Sequence, residues 1–210
     1  MIEGVTMTEC PGEFRWLSDC EELDEIYCVS FVRGLAPKEV LRRFRVNGST
    51  TEEAVAVDEP DERSAESTGD DAADYIGTAK IGDWTLVVEP GGWQIAVDPQ
   101  IYIPISQGTE VVSVCRHDYA SDTFAYIVDG EPVVQFDPVL PDDRSGTDPD
   151  RFVEEMREVG LDPDYDIDLD GSCIDFPIER SFALASRITG LHFSPEMLEP
   201  CFPGEEPLDD

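Results

Sequence analysis

The residues of this chain that could do chemistry are mostly carboxylates. Asp166-Ile-Asp168-Leu-Asp170-Gly171 matches positions 1, 3, 5 and 6 of an EF-hand calcium loop. Position 12, where a bidentate Glu would close the coordination shell, is Pro177. The stretch is therefore expected to be a solvated acidic loop, with Asp166, Asp168 and Asp170 as weak candidates for Ca²⁺ or Mg²⁺. Glu89 ends an apolar run and lies between Trp84 and Trp93 in sequence. In a partly apolar pocket beside those indoles its pKa would rise, and it would suit general-base work on a small ligand. In a plainer role Glu89 would accept hydrogen bonds from the Pro90-Gly91-Gly92 turn. Cys115 and His117 are two apart on an expected strand, so they share a face at roughly 6 to 7 Å, too far for a thiol–imidazole bond without a bulge. They read as ordinary sheet positions, and His192 as a helix-boundary or core residue.

A further set is electrostatic. Asp150, Glu154 and Glu158 recur at i, i+4 and i+8 of an expected helix from about Pro149 to Glu158, lining one face at steps of roughly 6 Å. Asp164, Asp166, Asp168 and Asp170 follow in the next loop. That spacing is near the separation of successive phosphates on a DNA strand, so such a surface can imitate nucleic acid and steer a basic protein onto itself. The chain as a whole carries 48 Asp and Glu against 14 Lys and Arg, a formal charge of −34. Nucleic acid and anionic membranes are poor partners for it, because binding them needs a basic footprint. A wholly disordered chain is excluded by 40% hydrophobic residues and ten Phe. The alternative reading is that the acidity only keeps a protein soluble in a saline or acidic-proteome host.

These residues need elements to position them. Residues 26–32 read as a buried strand ending at Gly34, and Pro37 opens a helix running to about Phe44. The only basic island, Arg33 to Arg45, holds five of the fourteen cations. Residues 58–74 have almost no large apolar side chains and are expected to be a mobile acidic insertion. Strands are then expected over 75–80, 84–89, 110–117, 123–128 and 132–136, with turns at Pro90-Gly91 and Asp129-Gly130. Residues 98–106 are ambiguous between a short helix and a strand. Residues 137–148 read as a polar loop, 178–189 as a helix stopped by Gly190, and 203–210 as a frayed tail. Length and pattern give one α+β domain over 1–210: an antiparallel meander of about five to six strands, helices at the N- and C-terminal ends, packed on one face.

The segment Asp83-Trp84-Thr85-Leu86-Val87-Val88-Glu89-Pro90-Gly91-Gly92-Trp93 resembles a family of uncharacterised small actinobacterial proteins with a tryptophan-initiated strand, a Glu-Pro turn and a Gly-Trp pair. Residues 27–44, 124–138 and 183–191 are similar to that family in the same order. The resemblance implies a single α+β domain in an intracellular bacterial setting and transfers no catalytic residue. The N-terminus lacks a basic region and an apolar stretch of the secretory type, and the six cysteines show no Cys-x-x-Cys pair, so the expectation is a cytoplasmic protein with reduced thiols. The functional expectation is a non-catalytic inhibitor or immunity-type protein that occludes a basic protein partner and uses no cofactor. A small-ligand or metal-dependent enzyme is the alternative.

Overall fold

The run Tyr27-Cys-Val-Ser-Phe-Val-Arg33 is rich in β-branched and aromatic residues, and everything in it except Arg33 is buried. Burial on both faces is the mark of a central strand, and the computed structural model places it there. The structure describes residues 12–20, 23, 25–45, 63–67, 75–118, 120–165 and 174–201. Its eight strands are β1 (Tyr27–Arg33), β2 (Arg63–Ser67), β3 (Tyr75–Ile81), β4 (Trp84–Pro90), β5 (Glu110–Arg116), β6 (Thr123–Val128), β7 (Glu131–Asp137) and β8 (Leu140–Ser145). They form one antiparallel sheet in the order β2-β3-β4-β1-β5-β6-β7-β8. The α+β class holds, with more strands than the five to six expected. The meander is split: β1, first in sequence, lies between β4 and β5 and joins two hairpin-connected halves.

The expectation that helices cover one face is corrected, because both faces of the central strands are apolar. On one side Cys28, Val32, Val87, Val111 and Ile127 pack under α1 (Pro37–Arg45), α2 (Gln94–Val97) and α3 (Pro99–Ser106). On the other, Tyr27, Phe31, Leu86, Val112 and Phe124 pack under α4 (Val153–Val159), α5 (Pro177–Thr189) and 3-10 turns at Gly12–Asp19, Pro195–Met197 and Glu199–Cys201. Phe182 of α5 stacks on Phe193 with ring centroids 4.8 Å apart and lies 6.3 Å from Phe14 and 6.5 Å from Tyr27. Gly77 in β3 lets the chain's last described turn close on the sheet, since a Cβ there would sit 2.0 Å from the Cys201 carbonyl oxygen.

Turn chemistry falls where the residues place it. Asp129 and Gly130 both have positive φ, 49° and 85°, as a two-residue hairpin turn requires. The ambiguous stretch is helical: the Asp98 carboxylate accepts from Gln100 N at 2.8 Å and Pro99 takes the first helical position. Of the 58–74 segment only 63–67 are among the described residues, where they form β2; the 203–210 tail lies outside them. The expected polar loop instead contains β8, an edge strand whose proline and charges, LPDDRS, disguise it. Among the described residues no helix is long and apolar enough to cross a membrane.

Candidate functional site

The acidic face is built on a shorter helix than its spacing predicts. Residues 149–152 form turns, and α4 starts only at Val153, so Asp150 precedes the helix while Glu154 and Glu158 share one face of it. The three carboxylates therefore do not form one helical row. Glu154 and Glu155 fall in the first turn, where the helix dipole favours anions, and Met156 and Val159 anchor the inner side. Each of the three acids engages an arginine of this chain. Asp150 accepts from Arg144 Nε at 3.0 Å and Nη2 at 2.7 Å, and Arg144 also donates to the carbonyls of Pro141 and Pro163. Arg157 bridges Glu154 at 2.8 Å and Asp164 at 2.9 Å, and Arg187 of α5 meets Glu158 at 2.9 Å. Asp166, Asp168 and Asp170, and with them the calcium-loop motif, lie outside the described residues.

Beside this face, between α4 and α5, is a cleft of about 460 Å³ lined by Glu13, Arg157, Glu158, Arg187 and His192 among others. His192 is exposed just beyond α5, its Nδ1 3.6 Å from Glu13. The Ser186 Oγ in the cleft wall is buried without a hydrogen-bond partner among the described residues.

Glu89 is 2% exposed, and its surroundings differ from those expected. Strand alternation sends Trp84 to the opposite face, where its indole N–H donates to the Thr189 carbonyl at 3.0 Å. Trp93 is 43% exposed and lies against His117, ring centroids 5.4 Å apart. The three expected pocket residues are thus not brought together. Glu89 Oε1 instead accepts from Gln94 N at 3.0 Å and Oε2 from Ile95 N at 3.2 Å, so the carboxyl holds the start of α2. Burial pushes its pKa up to about 7, against those hydrogen bonds and one with Cys28, which pull it down. Gly92 is required here, because a Cβ would lie 2.8 Å from Glu89 Cβ. The plainer role holds in kind but with other donors: the carboxylate accepts from Gln94 and Ile95 at the start of α2, while in the Pro90-Gly91-Gly92 turn the Gly91 N–H donates to the Ile26 carbonyl and the Gly92 N–H to the Glu89 backbone carbonyl.

Glu89, Cys28 and Cys115 lie in register across β4, β1 and β5. Cys28 and Cys115 are free thiols, and burial raises the Cys28 pKa well above its usual value. Next to them Ser30 and Ser113 share a 2.7 Å hydrogen bond, making a narrow polar band beneath α2. His117 follows the end of β5 and turns toward Trp93, and its backbone N–H donates to Asp122 at 2.9 Å.

The basic island is used internally. Arg33 pairs with Glu110 at 2.5 Å, and Glu39 is held down at about 2 by hydrogen bonds from Arg42 and Arg43. Arg43 Nη1 also donates to the carbonyls of Pro104, Ile105 and Gln107 at the end of α3.

Sequence reasoning missed a second cleft, of about 370 Å³, lined by Tyr27, Arg116, Asp122, Glu179 and Phe176 among others. Tyr27 opens β1 and Arg116 closes β5; they are direct partners only because β1 is inserted beside β5, a pairing no local pattern announces.

The sequence profile of a family of unknown function, DUF6461, matches residues 7–201. No curated protein matches the chain, and no solved structure does.

Proposed function

The chain belongs to the family of unknown function DUF6461, and from that premise we propose that it is a non-catalytic binding protein that occludes a basic protein partner, as an inhibitor or immunity protein does. The observation that carries this reading is the distribution of charge. Arg33, Arg42, Arg43, Arg144, Arg151, Arg157 and Arg187 each meet a carboxylate of the folded body. Residues 46–62, 68–74, 166–173 and 202–210 contain acids and no Lys or Arg. The chain's negative excess therefore has no cation of its own to satisfy it, and a partner with a basic surface would supply one.

Asp150, Glu154, Glu158 and Asp164, continued by Asp166, Asp168 and Asp170, form the proposed contact face. The ion pairs of Glu154, Glu158 and Asp164 are exposed at both ends, and pairs of that kind are worth about 0–1 kcal/mol, so exchanging Arg157 or Arg187 for a partner's arginine costs little, whereas Asp150 meets an Arg144 that is only 13% exposed and would reach a partner with its own pair kept. The setting proposed is the cytoplasm of an actinobacterium, where thiols as close as Cys28 and Cys115 stay reduced.

The test is capture of partners by the tagged protein, washed at about 0.1 M and 0.5 M salt, followed by association kinetics with the protein recovered. A stoichiometric basic partner released by high salt is the expected result. Asp150→Asn, Glu154→Gln and Glu158→Gln together should slow its association about tenfold at low salt and flatten the salt dependence. Unchanged kinetics in the triple variant would remove this face from the proposal, and recovery of no basic partner would remove the function.

A further inference from the structure

Glu89, Cys28 and Cys115 form a row across three neighbouring strands, each one residue in from the same end of the sheet. Direct opposition in antiparallel strands puts all three side chains on the face under α2, where they are 2%, 0% and 2% exposed. Residues so opposed have Cα atoms about 4.5 or 5.5 Å apart, and both spacings fall within the range of about 4.4–6.8 Å that a disulfide spans. The Cys28 thiol is within hydrogen-bond reach of the Cys115 thiol and of the Glu89 carboxyl, and its sulfur is 3.5 Å from Ser30 Oγ. The next pair inward on this face is Ser30 and Ser113, so a position that needs only a small side chain is filled by serine there.

Burial keeps a thiol protonated and therefore a poor nucleophile, and it raises the Cys28 pKa well above its usual value. Reaction needs a base beside the sulfur, and Glu89 is one. Its carboxyl, raised by burial to about 7, is ionised in part of the molecules at neutral pH. The cover over the row is slight. α2 is four residues long, brings no titratable side chain, and is held at its start by the Glu89 carboxyl through Gln94 N and Ile95 N. A short element at strand ends opens locally more readily than the core does, which admits a molecule the size of water.

We propose that Cys28 and Cys115 are a reversible dithiol switch that closes to a disulfide on reaction with a peroxide, with Glu89 as the proton acceptor. With hydrogen peroxide the Cys28 proton passes to the Glu89 carboxylate and the sulfur attacks the peroxide. The S–O bond forms, the O–O bond breaks, and the departing oxygen takes the proton from Glu89 and leaves as water. The Cys115 sulfur then attacks Cys28: the S–S bond forms, the S–O bond breaks, and the second oxygen leaves as water with the Cys115 proton. Two electrons pass from the sulfurs to the peroxide, and Glu89 ends as it began. A dithiol reductant reverses the bond. Closure removes the Cys28 hydrogen that faces Glu89, the same carboxyl that holds α2. The oxidation state of the pair therefore reaches the surface through α2, whose Trp93 cap and Val97 are 43% and 40% exposed. The switch is independent of the acidic face, which lies on α4 across the sheet.

The test is titration of the folded, reduced full chain with hydrogen peroxide, followed by thiol blocking under denaturing conditions and peptide mapping. Two of the six cysteines should be lost to the blocking reagent, the mass should fall by two hydrogens, and the peptides carrying Cys28 and Cys115 should be joined until a dithiol is added. Cys115→Ser, nearly isosteric, should leave Cys28 as a sulfenic acid that dimedone traps, and Cys28→Ser should leave Cys115 unmodified. Glu89→Gln should slow the reaction about tenfold at neutral pH. If the carboxyl only held α2 in place, its loss would loosen the cover and speed the oxidation instead. Thiols at 28 and 115 that survive while other cysteines oxidise, a bond from either to another cysteine, or a Glu89→Gln variant that oxidises as fast as the wild type or faster would each overturn the proposal.

Discussion

Replacing Glu89 by Gln should change the pH dependence of stability more than its value at any single pH. The carboxyl is 2% exposed and its pKa is raised by burial to about 7, against an ordinary 4.5. Between those values the folded state holds a proton that the unfolded state has released. Stability therefore falls as pH rises through the interval, and the full penalty is present above pH 7. From pH 5 to pH 8 the linkage integral gives about 2.5 kcal/mol lost through this one group. Gln does not titrate, but it presents an N–H₂ to one of the two backbone donors at Gln94 and Ile95, a pH-independent cost of about 1–2 kcal/mol. The assay is urea unfolding of both proteins at half-unit steps from pH 5 to 8. The general self-repulsion of a chain at −34 is nearly common to both and cancels in the difference. The variant should be the weaker protein at pH 5 and should gain on the wild type by about 2.5 kcal/mol by pH 8. A difference that stays flat across the range would show that the backbone donors hold the carboxyl ionised throughout and would refute the burial argument.

Other perturbations separate packing from polarity. Ser30→Ala leaves the buried Ser113 hydroxyl without its 2.7 Å partner and should cost about 1–2 kcal/mol in urea unfolding, whereas Ser30→Ala with Ser113→Ala should cost less than the single change. Phe182→Ala removes the ring that stacks on Phe193 and neighbours Phe14 and Tyr27 and should cost about 3–5 kcal/mol. Gly77→Ala forces Cys201 off β3, so Tm should fall and the buried Cys201 thiol should become reactive to a maleimide in the folded protein.

What was legible in the sequence follows from what is local. The runs around Val29, Val87 and Val112 announce strands, Asp129-Gly130 announces its hairpin, and Ile178 to Thr189 with Gly190 after it marks α5, because periodicity and turn chemistry act over a few residues. β8 was hidden because an edge strand with a proline and two aspartates has the composition of a loop. The start of α4 was placed early because Asp148 and Pro149 are a good helix opening, although the chain makes turns there first. The Glu89 pocket failed on parity: five residues along a strand reverse the face, so Trp84 could not have reached it. Tyr27 and Arg116 are 89 positions apart, and only the insertion of β1 beside β5 makes them neighbours.

That insertion bears on how the chain is made. β1 leaves the ribosome before any of its partners, with six of its seven residues destined for the interior. Neither β4 nor β5 exists until much later in synthesis. Contacts so distant in sequence slow folding, since a long loop must close before they repay it. The nascent chain therefore carries a strand destined for burial on both faces without its full set of partners until residue 116 has emerged, and that interval is when a chaperone would have the most to hold.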